Sequence, residues 1–255
     1  MGNIECDHDE DGDPIKGTER FVKDTNGWLT VYEMPKKGYP YVIGGDTAEG
    51  GLDYCVGQVL DNTTGRQVAK WRGHTDTDLY AKQMFSLGWF YNEALIAIEV
   101  NFDLHPTKEL ERLGYHKQYI RETVDDISKT KQHKHGWRTS PASRGPLIGD
   151  LVVVVRDDVD LVTDIDTLNE MLTFVRNEVG KPEAQQGKFD DCVMSLAIAH
   201  KARDQQSMSV AKDEGWKPAP GGSYTLAELR GKHGLTDSQI RRLRGINILD
   251  YKHRR

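Results

Sequence analysis

Tyr41-Val42-Ile43-Gly44-Gly45-Asp46 is a short apolar run that ends on a carboxylate. A second run, Leu95-Ile96-Ala97-Ile98-Glu99-Val100, carries one near its end, and Asp190-Asp191 opens the apolar stretch from Cys192 to Ala199. Short continuous apolar runs suit strands buried on both faces. Asp46 and Glu99 therefore sit at the ends of core elements. An ionised carboxylate there is costly without a partner or a metal, and hard oxygen ligands suit divalent cations. A turn aspartate beside glycines and a salt-bridged glutamate are the plainer readings of the same two residues.

Working outward, Trp28 to Tyr32 is rich in strand formers, and Tyr41–Gly45, Tyr54–Leu60 and Gln67–Trp71 follow as an antiparallel meander. Asp61-Asn62-Thr63-Thr64-Gly65 supplies the turn chemistry between the last two. Thr75 to Asp78 offers helix caps, after which Tyr80, Met84, Leu87 and Tyr91 recur at helical spacing. Pro106 starts a short helix that Gly114 stops, and His116 to Ile120 reads as a fifth strand. Residues 122–146 are polar, basic and without a clear pattern. Helices are expected over 144–155 and 167–179, the second capped by Asp166, and over 190–203. This succession predicts an α/β chain with a ribonuclease-H-like mixed five-stranded sheet flanked by helices. In that architecture the first and fourth strands are neighbours and the last helix packs over them, so the three acidic clusters converge.

The chain of 255 residues carries a formal charge of −6, which argues against a surface that binds polyanions everywhere. Clustered metal ligands add negative charge of their own. No run is long enough to cross a membrane, and three scattered cysteines make neither a disulfide framework nor a zinc pattern. Cys55 and Cys192 lie in apolar stretches and read as core thiols. Residues 1–26 are expected to be an acidic N-terminal extension or linker, disordered over the first twenty. Asp7 to Gly12 begins like an EF-hand loop, but the final position falls on Thr18 instead of a glutamate. The globular part is expected over 27–204. Residues 205–255 read as a linker and a basic helical tail, with helices over 225–233 and 236–244 that fit a small helix-turn-helix, a solvated tail or a docking segment.

Gly45-Asp46-Thr47-Ala48-Glu49-Gly50-Gly51-Leu52-Asp53, Ile98-Glu99-Val100-Asn101 and Gly187-Lys188-Phe189-Asp190-Asp191-Cys192-Val193-Met194-Ser195-Leu196-Ala197 resemble, in order and spacing, the three acidic motifs of the nuclease domain of phage large terminase subunits. Gly136 to Ser140 and Arg144 to Ile148 resemble the connector between them. The likeness covers about residues 40–204 and departs at Phe189, where the family often has histidine. It implies a metal-dependent endodeoxyribonuclease that cuts concatemeric double-stranded viral DNA. The products would carry 5′ phosphate and 3′ hydroxyl ends. Asp46, Glu99, Asp190 and Asp191 would hold two magnesium or manganese ions, with Asp53 as an accessory acid and Asp46 bridging the pair. Of Asp190 and Asp191, one would ligate and the other cap the helix; the pattern leaves open which.

The resemblance also implies partners: the terminase ATPase domain, the small terminase subunit and the portal protein, in the cytoplasm of the infected host cell. No Gly-x4-Gly-Lys-Ser/Thr loop occurs in this chain, so the motor is expected elsewhere. Lys129, Lys131, Lys134, Arg138 and Arg144 form a basic stretch suited to neutralising phosphates without reading sequence, or to a solvated loop. Trp137 within it suits a sugar or base contact, or the core. A junction resolvase or transposase of the same fold would share the acids. A non-catalytic DNA- or portal-docking module would keep the fold without the chemistry.

Overall fold

A computed structural model describes residues 1–47, 54–124, 130–178 and 180–210, and from the remainder 223–226, 228–229, 240 and 247–248. The chain divides into two compact units, residues 1–211 and 212–255.

In the first unit the strands are β1 (Gly2–Glu5), β2 (Arg20–Lys23), β3 (Leu29–Val31), β4 (Tyr41–Asp46), β5 (Cys55–Asp61), β6 (Gln67–Gly73) and β7 (Leu95–Ile98). They form one mixed sheet in the order β2-β1-β3-β6-β5-β4-β7, antiparallel throughout except for the parallel pair β4–β7. The sheet has seven strands where five were expected: β3, read as rich in strand formers but outside that count, joins it, the expected fifth strand is not among the seven, and β1 and β2 were not foreseen. Both unforeseen strands come from the N-terminal segment, which is thus folded onto the sheet edge over residues 2–5 and 20–23 and not disordered. It is short and polar, and only the alternation of buried Gly2 and Ile4 with Asn3 and Glu5 marks it as strand. The acidic loop that follows is anchored through Asp13, which meets Lys82 at 2.9 Å and Arg112 at 2.6 Å. Asp9 spends its carboxylate on the backbone amides of Asp11 and Asp13.

The expected fifth strand is a composite. Beyond β7, Ile96 N donates to Lys117 O and Tyr119 N to Ile96 O; then Trp137 N donates to Ile98 O and Val100 N to Trp137 O. Residues 117–119 and 136–137 together line the β7 edge. Between them the chain leaves the sheet as a hairpin, β8 (Ile120–Val124) and β9 (Lys131–His135).

Helices cover both faces. α1 (Thr77–Phe90) and α2 (His105–Arg112) pack on one, against Ile43, Cys55, Ile96 and Ile98. α3 (Pro141–Asp157), α4 (Ile165–Leu172) and α5 (Asp191–Ala202) cover the other, against Val42, Leu60, Leu95 and Ala97. α3 starts three residues before the expected position, because Ser140 and Ser143 make a reciprocal capping box around Pro141. The helix expected over 167–179 is shorter. Asp164 caps it in place of Asp166, accepting from Thr167 N, and it ends at Leu172 before β10 (Phe174–Arg176), which pairs with β11 (Pro182–Ala184).

Two features of α5 carry stability. Gly44 of β4 touches it directly: a Cβ there would collide with the Ser195 carbonyl and the Ala199 backbone. Gly44→Ala is expected to destabilise the fold by about 1–3 kcal/mol or more, read as a lowered urea midpoint. His200, in the last turn, has a buried Nδ1 without a partner. Burial, and then the Arg203 charge, depress its pKa from 6.5 to about 4. Above pH 6.5 the imidazole is neutral folded or unfolded. Below it the unfolded chain takes the proton first, so stability falls until about pH 4, by about 3 kcal/mol in all. His200→Leu is expected to flatten that part of the stability-versus-pH curve relative to wild type.

In the second unit, β12 (Ser223–Tyr224) pairs in parallel with β13 (Asn247–Ile248), and Thr225 and Glu228 bond reciprocally as a helix start. Leu229 and Ile240 are buried. The helices expected over 225–233 and 236–244 lie mostly outside the described residues. Among the described residues no helix is long and apolar enough to cross a membrane.

Candidate metal centre

Parallel pairing of β4 with β7 sets the first two acids. The register is Val42 with Leu95, Gly44 with Ala97 and Gly45 with Ile98, and Glu99 N donates to Gly45 O at 2.8 Å. Asp46 and Glu99 are thus next to one another in the ladder. Since side chains alternate along a strand, they share the face of Gly44 and Ala97, on which α5 lies. The N-terminus of α5 comes to the same end of the sheet and brings Asp190 and Asp191.

All four carboxylates line one cavity of about 120 Å³, together with Thr47, Arg144 and Lys188. Asp46 and Glu99 are 8% and 7% exposed. The Asp46 carboxyl is pushed well above its ordinary range, first by burial, then by the charge of Glu99 and of Asp191, by a hydrogen bond with Glu99, and by the charge of Asp190. Acids crowded in this way need a proton or a cation between them.

The α5 pair has further partners as well. Asp190 is the N-cap residue by position, yet its side chain makes no capping hydrogen bond. It pairs with the Arg144 guanidinium, whose Nε donates to Pro182 O at 2.9 Å. Asp191 Oδ2 accepts from Tyr54 N at 3.1 Å. Among the described residues no group of three or more His, Cys, Asp and Glu side chains closes into a ligand sphere. The donors are nevertheless all carboxylate oxygens, which match a magnesium- or manganese-type ion better than a soft one. The negative charge that Glu99, Asp191 and Asp190 place around Asp46 is of the sign a cation would relieve.

A groove runs away from these acids. A cavity of about 570 Å³ shares Glu99 and Arg144 with the acid pocket and adds Arg176 and Lys181. A further cavity of about 700 Å³ shares Asn101 and Phe102 with it, and is lined by Lys108, Arg121, Lys134 and Arg138. Lys134, Arg138 and Arg144 of the basic stretch therefore face the groove. Lys131 does not line it; it pairs with Glu122 at 3.0 Å on the exposed hairpin. Lys129 and Asp53 lie outside the described residues. Trp137 packs in the core, against Tyr119, with its indole N–H on Thr139.

Sequence reasoning missed Lys108, Arg121, Arg176, Lys181 and Lys188, which are scattered among acids and become a set only through folding. It also missed Glu170 of α4, whose Oε2 accepts from Cys192 N at 2.8 Å and Val193 N at 3.3 Å.

No family model matches the chain, and no curated protein matches it in sequence. Solved structures do. The large terminase nuclease from thermophilic phage G20c aligns with a TM-score of 0.54 at 22% identity, over 70% of this chain and 90% of that one. The same nuclease with bound magnesium aligns with a TM-score of 0.54 over 89% of its length. The large terminase nuclease domain of Thermus phage P74-26 aligns with a TM-score of 0.52 at 25% identity, over 69% of this chain and 86% of that one. Structures of the G20c nuclease with bound cobalt and zinc align as well. The chain has the fold of phage large-terminase nuclease domains.

Proposed function

We propose that this chain is a metal-dependent endodeoxyribonuclease that hydrolyses phosphodiesters of double-stranded viral DNA in genome packaging. One observation carries the reading: Asp46, Glu99, Asp190 and Asp191, spread over 146 positions of sequence, line a single cavity at the head of a cationic groove. These four would hold two magnesium or manganese ions, with Asp53 as an accessory. Bound there, such ions supply activation of the attacking water and charge stabilisation of the departing 3′ oxygen.

The chain's own residues do the positioning. Lys108, Arg121, Lys134 and Arg138 neutralise duplex phosphates along the groove, a contact that fixes register without selecting bases. Arg144 stands where groove and acid pocket meet, and so holds the phosphate nearest the acids. Phe102, 60% exposed between the two larger cavities, offers an apolar face to a sugar. Strand-end placement keeps Asp46 and Glu99 rigid, as a catalytic constellation requires. By the same reading, the partners are a terminase ATPase domain, the small terminase subunit and the portal protein, and the site of action is the cytoplasm of the infected host cell.

The test is nicking of supercoiled plasmid with manganese, magnesium or chelator, wild type against Glu99→Ala. Cleavage by wild type that needs the cation and fails in the variant supports the reading. Equal cutting by both, or none by wild type in any cation, overturns it. A strong preference for branched over linear duplex would move the assignment to a junction resolvase.

A further inference from the structure

A helix that begins with two aspartates ordinarily uses one of them as its cap, because the first amide groups have no partner within the helix. α5 does not. Asp190 occupies the N-cap position with φ −130° and ψ 11° and gives its side chain to Arg144, while Asp191 meets Tyr54 N. The amides of Cys192 and Val193 are instead satisfied by Glu170, from α4, twenty-two and twenty-three residues away in sequence. Glu170 is 8% exposed.

Behind it stands Arg72 of β6, with Nη2 at 3.6 Å from Glu170 Oε1. The Arg72 guanidinium also lies over the Tyr54 ring, 3.9 Å from its centroid. Tyr54 is the residue whose amide holds Asp191. Glu170, Arg72, Tyr54 and Asp191 thus close a loop around the start of α5.

We infer that Glu170 is a positioning residue: it caps α5 from a neighbouring helix and so leaves the Asp190 carboxylate to line the acid pocket, where it meets Arg144. The question the sequence leaves open, which aspartate caps and which ligates, is answered for Asp190: it holds the N-cap position without capping. The geometric statement stands on the hydrogen bonds alone. Its functional consequence, tighter cation binding, rests on the metal-site reading above. Supporting residues one layer out from a metal typically change affinity 10–100-fold when removed.

Without Glu170, Asp190 at the N-cap position is placed to take over the cap, at the expense of its place in the pocket. Glu170→Leu fills the volume without an acceptor. Glu170→Gln keeps an oxygen for the two amides. Manganese affinity, measured by calorimetry on the full chain without DNA, is expected to fall about tenfold or more in Glu170→Leu and to stay within about threefold of wild type in Glu170→Gln.

A thermal double-mutant cycle with Asp190→Ala separates positioning from bulk stability. In wild type Asp190 is not a cap. In the Glu170→Leu background it becomes one, so Asp190→Ala lowers the melting temperature there by about 2–4 °C more than in wild type. Non-additivity of that sign supports the inference even if wild type binds no manganese, an outcome that would remove the metal reading alone. Additive shifts, or a Glu170→Leu protein with wild-type manganese affinity, overturn it. If Glu170→Leu fails to fold, the cycle is run with Glu170→Met, which also lacks the acceptor, and the same outcomes decide.

Discussion

Glu99→Ala is expected to lower manganese-dependent plasmid nicking about a thousandfold or more while leaving the protein folded. The activity loss follows from the ligand count. Cation charge stabilisation contributes several kcal/mol to a phosphodiester transition state, and each 1.36 kcal/mol is a factor of ten. The retention of fold follows from the electrostatics. Glu99 adds charge beside a buried Asp46 whose carboxyl is already displaced upward by burial and by its neighbours. Removing one like charge relieves that repulsion, so the melting temperature in chelator should hold steady or rise. Loss of activity with an unchanged or higher melting temperature is the signature of a functional acid. A structural salt-bridge partner would show the opposite pattern. Plasmid nicking and a melting curve on the same preparation check both halves.

Lys70→Met is expected to destabilise the protein by about 3–5 kcal/mol, a large part of the 5–15 kcal/mol typical of a folded domain. Lys70 is 3% exposed and its ammonium lies 2.8 Å from Asp164 and 2.5 Å from Asp166. Asp164 in turn accepts from Tyr32 Oη at 2.5 Å and from Thr167 N at 2.7 Å. Met fills the space of the lysine stem and leaves a buried carboxylate unpaired, which is the expensive half of a broken ion pair. Burial raises the Asp164 pKa, but Lys70, Tyr32 and Thr167 outweigh it and the net shift is downward. Its stabilising contribution is therefore complete above the ordinary aspartate pKa and is lost as pH falls through the lower folded value. The gap between wild type and Lys70→Met should narrow in acid, which urea titrations at neutral and acid pH would read. The double variant Lys70→Met with Asp164→Leu should recover much of the loss.

That Asp46 and Glu99 would come together at the ends of β4 and β7 was legible because each interrupts an apolar run that pairs with the other in the sheet. The meander was legible through its turn, Asp61 to Gly65, where Gly65 adopts φ +84°. Helix α1 was legible through Tyr80, Met84 and Leu87, all fully buried. What the chain concealed was cooperation between distant polar residues. Glu170 looks like any helix glutamate until α5 is packed beside it. Arg72, between Trp71 and Gly73 in a strand, carries no mark of its ties to Glu170 and Tyr54. The N-terminal strands have too few apolar side chains to register as strands, since their pairing is driven by a sheet edge formed elsewhere and by Asp13 gripping two helices. The end of α4 was misjudged because Thr173 to Val175 prolongs the apolar rhythm while its β-branched residues favour an extended chain.

The composite strand beside β7 has an architectural consequence. Gly136 N bonds Tyr119 O at 2.9 Å, so the polypeptide departs and rejoins at almost one point, and everything between is an excursion whose length the core never senses. Loop closure grows only slowly with length. This outgrowth can therefore lengthen, shorten or change its charge across generations at little thermodynamic penalty. Because it stems from the groove margin, such drift would change the charge lining the groove while the acid pocket stays untouched.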